Sequence, residues 1–200
     1  MTDVVNQLLN IWSRIMKKFL LTLAIVVSGF LGVQTQAATI GEKLLFYIPN
    51  RIVDALDVFS VSLGFGPVIE ARLMATRAVD VGAGIGMAAK AYKLHNRQYG
   101  FGVEDGWYWS FICVGEEDFS VFQSVGTVQM FDETRTGFPE PGQRVYDFFD
   151  GARDYWAFGG ALGLGLDGEL YVHPVELADF ILGFFLIDIK NDDFTLETFK

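Results

Sequence analysis

Cys113 is the only cysteine in this chain, and His95 and His173 are its only histidines. One cysteine excludes an intramolecular disulfide, so the fold has to hold by packing alone. With so few thiols and imidazoles there is no Cys/His spacing of the kind that holds zinc. Basic residues are scarce as well, 15 against 25 acidic ones, and the net charge is −10. No Lys/Arg patch is available to neutralise phosphates, which argues against nucleic acid as a partner. The G-x-S-x-G elbow of many serine hydrolases is absent. Gly82-Ala83-Gly84-Ile85-Gly86 lacks the G-x-G-x-x-G spacing of a dinucleotide loop and leads into no amphipathic helix, so these glycines read as sheet glycines. No catalytic residue, metal ligand or cofactor site follows from these patterns.

What is present begins with an address. Met16, Lys17 and Lys18 precede the apolar stretch Phe19 to Val33 and the small-residue exit Thr35-Gln36-Ala37-Ala38, the pattern of a secretory signal cut after Ala37. The run is shorter than the roughly 20 apolar residues of a spanning helix. Residues 1–15 then read as an over-called start, 16–37 as a signal peptide and 38–200 as a single β-rich domain. Without residues 1–37 the chain loses Arg14, Lys17, Lys18 and Asp3, so 12 basic residues of the 15 face 24 acidic of the 25, a net charge of −12. No cysteine follows the signal, which excludes a lipoprotein anchor at that point.

Alternation with a period of two dominates the rest. Phe59, Val61, Leu63, Phe65, Ile69, Ala71, Leu73 and Ala75 alternate with Ser60, Ser62, Gly64, Gly66, Glu70, Arg72 and Thr76. After Thr76-Arg77-Ala78 the pattern resumes as Val79, Val81, Ala83, Ile85, Met87 and Ala89 against Asp80, Gly82, Gly84 and Gly86. The two segments read as a hairpin. Trp156 to Leu166 repeats the texture, with an apolar face and a nearly bare one; repeated glycine on one face marks close approach or strong bending. Trp107 to Val114 and Phe119 to Phe131 supply further strands, and Asp167-Gly168 reads as a hairpin turn. Two short helices are expected, over Asn50 to Phe59 and from His173-Pro174 to Leu182, the second with Pro at its first position and Glu176 in its first turn. Asp132 to Gly142 is the longest loop expected. The fold class is therefore mainly β: a curved antiparallel sheet or small β-barrel with one or two short helices, following a signal peptide.

The chemistry-bearing residues have plain readings. Cys113 is expected to be a buried, inert thiol in a strand, His95 to sit in a solvated polar turn, and His173 to cap a helix. Glu116-Glu117-Asp118, and Asp147 with Asp150, read as solvated turns. Asp188, Asn191, Asp192 and Asp193 bring hard oxygen ligands together without the EF-hand spacing, and loop solvation is the expected reading. Phe180 to Ile189 reads as core. Trp107, Trp109, Tyr155 and Trp156 suit either an interfacial aromatic girdle or a core.

Two stretches, Arg51 to Gly84 with Gly64-Phe65-Gly66-Pro67 and Val79-Asp80-Val81-Gly82, and Pro174 to Asp193 with Leu177-Ala178-Asp179-Phe180, resemble an uncharacterised group of exported proteins and lipoproteins of Gram-negative bacteria. The resemblance implies an envelope location and supplies no activity or ligand. The expectation is a non-enzymatic cell-envelope protein, exported to the outer membrane or periplasm of a Gram-negative bacterium, whose sheet associates with the outer membrane and with envelope components. The alternative is a soluble periplasmic module that binds an apolar small molecule or lipid; an exported hydrolase built on scattered carboxylates ranks third.

Overall fold

A computed structural model describes residues 40–199, so the expected signal peptide lies outside the described residues. Two helices, α1 (Ile40–Leu45) and α2 (Tyr47–Asp57), lead into a hairpin of β1 (Phe59–Thr76) and β2 (Val79–Lys93). β3 (Tyr99–Ile112), β4 (Val114–Gly126) and β5 (Phe131–Gly137) continue as an antiparallel meander. The chain then crosses through residues 138–157 to β6 (Phe158–Val172) and α3 (Pro174–Gly183). β6 pairs antiparallel with β1, and the open six-stranded sheet has the order β5-β4-β3-β2-β1-β6.

The expected hairpin forms with its break at Arg77-Ala78, and Pro174 opens α3 as its missing N–H favours. Three expectations about turns, loops and strands are overturned. Asp167-Gly168 is not a turn: β6 runs straight through it, with Asp167 opposite Gly64 of β1. Asp132 to Gly142 is not all loop, because residues 131–137 pair with β4. Cys113 is exposed at the tight β3–β4 connection rather than buried in a strand.

The sheet is strongly curled. Strands stack about 4.8 Å apart, yet Arg72 on β1 comes within 3.8 Å of Glu117 on β4 across two intervening strands. One line of bending is visible in the register, where Val68, Gly86, Gly106 and Phe119 lie opposite one another on β1 to β4. Gly86 and Gly106 have φ of 135° and 146°, conformations that L side chains rarely adopt. A Cβ on Gly106 would lie 2.2 Å from the Asp118 carbonyl oxygen. Elsewhere the bare positions make room for large neighbours on the inner face: a Cβ on Gly84 would lie 2.5 Å from the Tyr108 ring, and one on Gly64 2.4 Å from the Lys90 side chain.

The curl encloses a polar interior. Glu70, Arg72, Asp80, Lys90, Glu104, Glu117, Arg135 and Asp167 are buried, with a small apolar cluster of Tyr92, Val121 and Val128 packed by Leu94 and Phe131. The apolar positions of β1 and β6 point outward, and Leu63, Phe65, Ile69, Leu73, Leu162 and Leu164 are 62–79 % exposed. α2 follows the same inversion: Asn50, Arg51, Asp54 and Asp57 are buried while Ile52 and Leu56 are exposed. Phe180 to Ile189 is not core either, since Ile181, Phe184 and Phe185 are exposed.

Candidate functional site: a charged interior inside an apolar face

Alternation along each strand decides which side chains meet inside the curl. Lys90 points inward and meets four carboxylates: Glu70 at 3.6 Å, with Glu104, Asp167 and Glu169 in direct contact with its Nζ. Tyr92 donates to Glu104 at 2.9 Å and Tyr108 to Glu70 at 3.1 Å. Towards the β1–β2 turn the ratio reverses. Glu117 is ringed by Arg77, Arg135 at 2.9 Å, Arg153 at 3.3 Å and Arg72 at 3.8 Å. Arg72 also pairs with Asp80 at 2.9 Å, and Arg153 with Glu133 at 2.5 Å. Glu117 is thus the centre of a buried network, not part of a solvated turn; in Glu116-Glu117-Asp118 the strand aims the middle residue inward and its neighbours outward. Asp147, by contrast, is exposed and accepts the N–H groups of Phe149 and Asp150, as a turn carboxylate does.

Arg153 comes from the crossing segment, which also sends Tyr146 to Glu133 at 2.6 Å and Tyr155 to the Pro139 carbonyl at 3.2 Å. Tyr155 is therefore buried, whereas Trp107, Trp109 and Trp156 are 39–52 % exposed on the outside. Burial pushes the Tyr146 hydroxyl up to about 12 although Arg153 and Arg77 pull the other way.

A second cluster sits where α2, α3 and the C-terminal segment meet. One carboxylate oxygen from each of Asp54, Asp192 and Asp193 lies within 4.8 Å of the others, and the same holds for Asp179, Asp188 and Asp192. Arg51 bridges Asp54 at 2.7 Å and Asp193 at 3.0 Å, and Arg97 reaches Asp192 at 3.3 Å. Five acids against two guanidinium groups leave an excess of negative charge. Burial and the neighbouring acids outweigh Arg51 and raise Asp54 to about 7, and burial likewise raises Asp192 and Asp193 to about 6. The loop acids singled out by sequence do come together here, half-buried rather than solvated, joined by Asp54 and Asp179 from the helices.

His95 and His173 are buried rather than solvated, with ring centroids 4.7 Å apart and stacked. His173 does precede α3 but makes no capping bond through its side chain. Burial and the adjacent His173 lower His95 to about 3, so it stays neutral. Both rings line an interior cavity of about 110 Å³ with Tyr92, Leu94, Val121 and Phe131.

The outer face can be followed along one row of the register. Leu164, Ile69, Ile85 and Trp107 lie side by side on β6, β1, β2 and β3, and the row ends in Asp118 and Thr134 on β4 and β5. Asp132 and Thr136 are also exposed there. β6, β1 and β2 therefore present hydrocarbon, β3 presents Phe101, Trp107, Trp109 and Phe111 interrupted by Asp105, and the β4–β5 edge mixes acids and hydroxyls with the exposed Phe122 and Val125 of β4. No helix among the described residues is long and apolar enough to cross a membrane, which leaves crossing by strands open. Comparison of the chain with protein-family models, curated proteins and solved structures returns no match.

Proposed function

We propose that this chain is a cell-envelope protein whose sheet rests in the outer membrane of a Gram-negative bacterium, the outer faces of β6, β1, β2 and β3 against lipid. The inverted burial carries the reading: ion pairs inside, leucines, isoleucines and phenylalanines outside. Moving each such side chain from water into hydrocarbon contributes about 1.5–3 kcal/mol, and an exposed apolar face of this breadth marks an interaction surface. Five of the strands have 13–18 residues, above the roughly 9–11 that a tilted spanning strand needs. The secretory pattern at residues 16–37 agrees with the location. Asp118 and Asp132 keep the β4–β5 edge towards water or protein.

Expression with its N-terminal segment in a Gram-negative host, followed by fractionation, tests the reading. Retention in the outer-membrane fraction after urea, with heat-modifiable gel mobility, is the expected result; release with the soluble periplasm contradicts it. Release would favour a second reading, a periplasmic module for an apolar small molecule or lipid, for which the interior cavity of about 110 Å³ speaks; co-purifying lipid would then be the observation to seek.

A further inference from the structure

At the end of the curled sheet where β1 begins and β6 ends, three side chains form a relay that neither ion-pair network uses. Ser60 Oγ lies 2.5 Å from Nε2 of His173, and Nδ1 of the same ring lies 2.7 Å from Oδ2 of Asp154. Strand pairing sets the first contact: Ser60 is opposite Tyr171, and the His173 N–H donates to the Val58 carbonyl at 2.8 Å, so both side chains are held against the same interior. Asp154 arrives from the crossing segment, its other oxygen accepting the Trp156 N–H at 2.8 Å.

An ionised carboxylate only accepts, so Nδ1 carries the ring proton and Nε2 is left with a lone pair facing the Ser60 hydroxyl. Burial opposes the charge on Asp154, but the bond from His173, the nearby imidazoles and the Trp156 N–H together outweigh it and hold that carboxyl below its usual range. This is the arrangement by which a serine hydroxyl is activated on unrelated folds, recognised by geometry and not by chain order. Ser60, His173 and Asp154 all line the interior cavity, with Leu94, Val128 and Ala157 among its apolar walls.

We propose that Ser60 is a nucleophile, with His173 its general base and Asp154 a positioning residue, and that the site hydrolyses short-chain carboxylic esters. Ser60 Oγ attacks the ester carbonyl as its proton passes to Nε2. The bond to the alcohol oxygen breaks and the alcohol leaves with that proton. Water, deprotonated by Nε2, then attacks the acyl-serine; the bond from the acyl carbon to Oγ breaks, the carboxylic acid departs and the proton returns to Oγ. A cavity of about 110 Å³ is small beside the roughly 300–1,000 Å³ of a drug-sized ligand site, which sets the acyl chain at short length. This gives an activity to a chain whose motifs suggest none. It is independent of the membrane reading, because the purified full chain in detergent serves whichever compartment it occupies.

The test is treatment of the folded full chain with diisopropyl fluorophosphate, with the adduct located by peptide mass mapping and p-nitrophenyl butyrate as substrate. One adduct on Ser60 is expected. Labelling should slow by about 10²–10⁴-fold in His173→Gln, and ester turnover should disappear in Ser60→Ala. Asp154→Asn should lower kcat with KM unchanged, a split that a purely structural tie would not produce. Folded protein that takes no adduct at Ser60, or that is labelled equally fast in His173→Gln, overturns the proposal; wild-type mapping decides even if a variant fails to fold.

Discussion

Lys90 is a buried ammonium with four carboxylates around it and glycines opposite it on both neighbouring strands, Gly64 and Gly102. Removing one partner of a buried ion pair leaves uncompensated charge, which costs about 3–5 kcal/mol. Lys90→Met is therefore expected to lower unfolding stability by that order, read as a drop in the urea midpoint. The outer face gives the opposite contrast. Leu164 is 79 % exposed, so Leu164→Arg should stay within about 0.5 kcal/mol if water covers it and cost about 2–4 kcal/mol if the bilayer midplane does; unfolding from vesicles distinguishes the two. Much of this was legible in the alternation of Ser60, Ser62, Glu70 and Arg72 with Val61, Leu63, Ile69 and Leu73. A period of two says that the faces differ and not which one meets solvent, because either set can be the inner one. Ser60 and Asp154 carried no local signal, since their meeting with His173 depends on three separate parts of the chain.

Among the elements, the bend through Gly86 and Gly106 gives the sheet its curl. Gly106→Val places a branched side chain at φ 146° against the Asp118 carbonyl. Backbone strain alone costs about 1–3 kcal/mol, so loss of the folded state or a clear fall in thermal midpoint is expected. The helix end responds to pH. Asp54 at about 7, and Asp192 and Asp193 at about 6, stand above their ordinary 3.8. Between these values the folded chain holds protons that the unfolded chain has released, so stability from this cluster is full below the ordinary value and is lost as pH rises through 6 to 7. Amides of α2 should accordingly be better protected at pH 5 than at pH 7.5 once intrinsic exchange rates are removed; equal protection would contradict the assignment. Sequence placed α2 and α3 within a few residues and did not say which side of α2 is buried. Spacing of Ile52, Val53 and Leu56 marks an apolar stripe, and while Arg51 is a local partner for Asp54, the pairing of Asp57 with Lys93 and of Asp54 with Arg97 exists only in three dimensions.

For the whole molecule the issue is what covers an apolar exterior. Among the described residues β6 has β1 on one side and no partner on the other, and in hydrocarbon an unpaired strand edge leaves backbone N–H and C=O groups unsatisfied. The membrane reading therefore requires that the β6 edge be closed in the bilayer, by β5 or by a second copy, and amide exchange along Phe158–Val172 should be slow in vesicles. The most direct measurement of the central claim is a nitroxide spin label placed in turn at Leu164, Ile69 and Asp118, in a Cys113→Ser background made simple by the single cysteine, with the protein in vesicles. Labels at Leu164 and Ile69 are expected to collide preferentially with oxygen and hardly with a water-soluble nickel chelate, while the label at Asp118 does the reverse. Chelate access at Leu164 and Ile69 equal to that at Asp118 would contradict that claim.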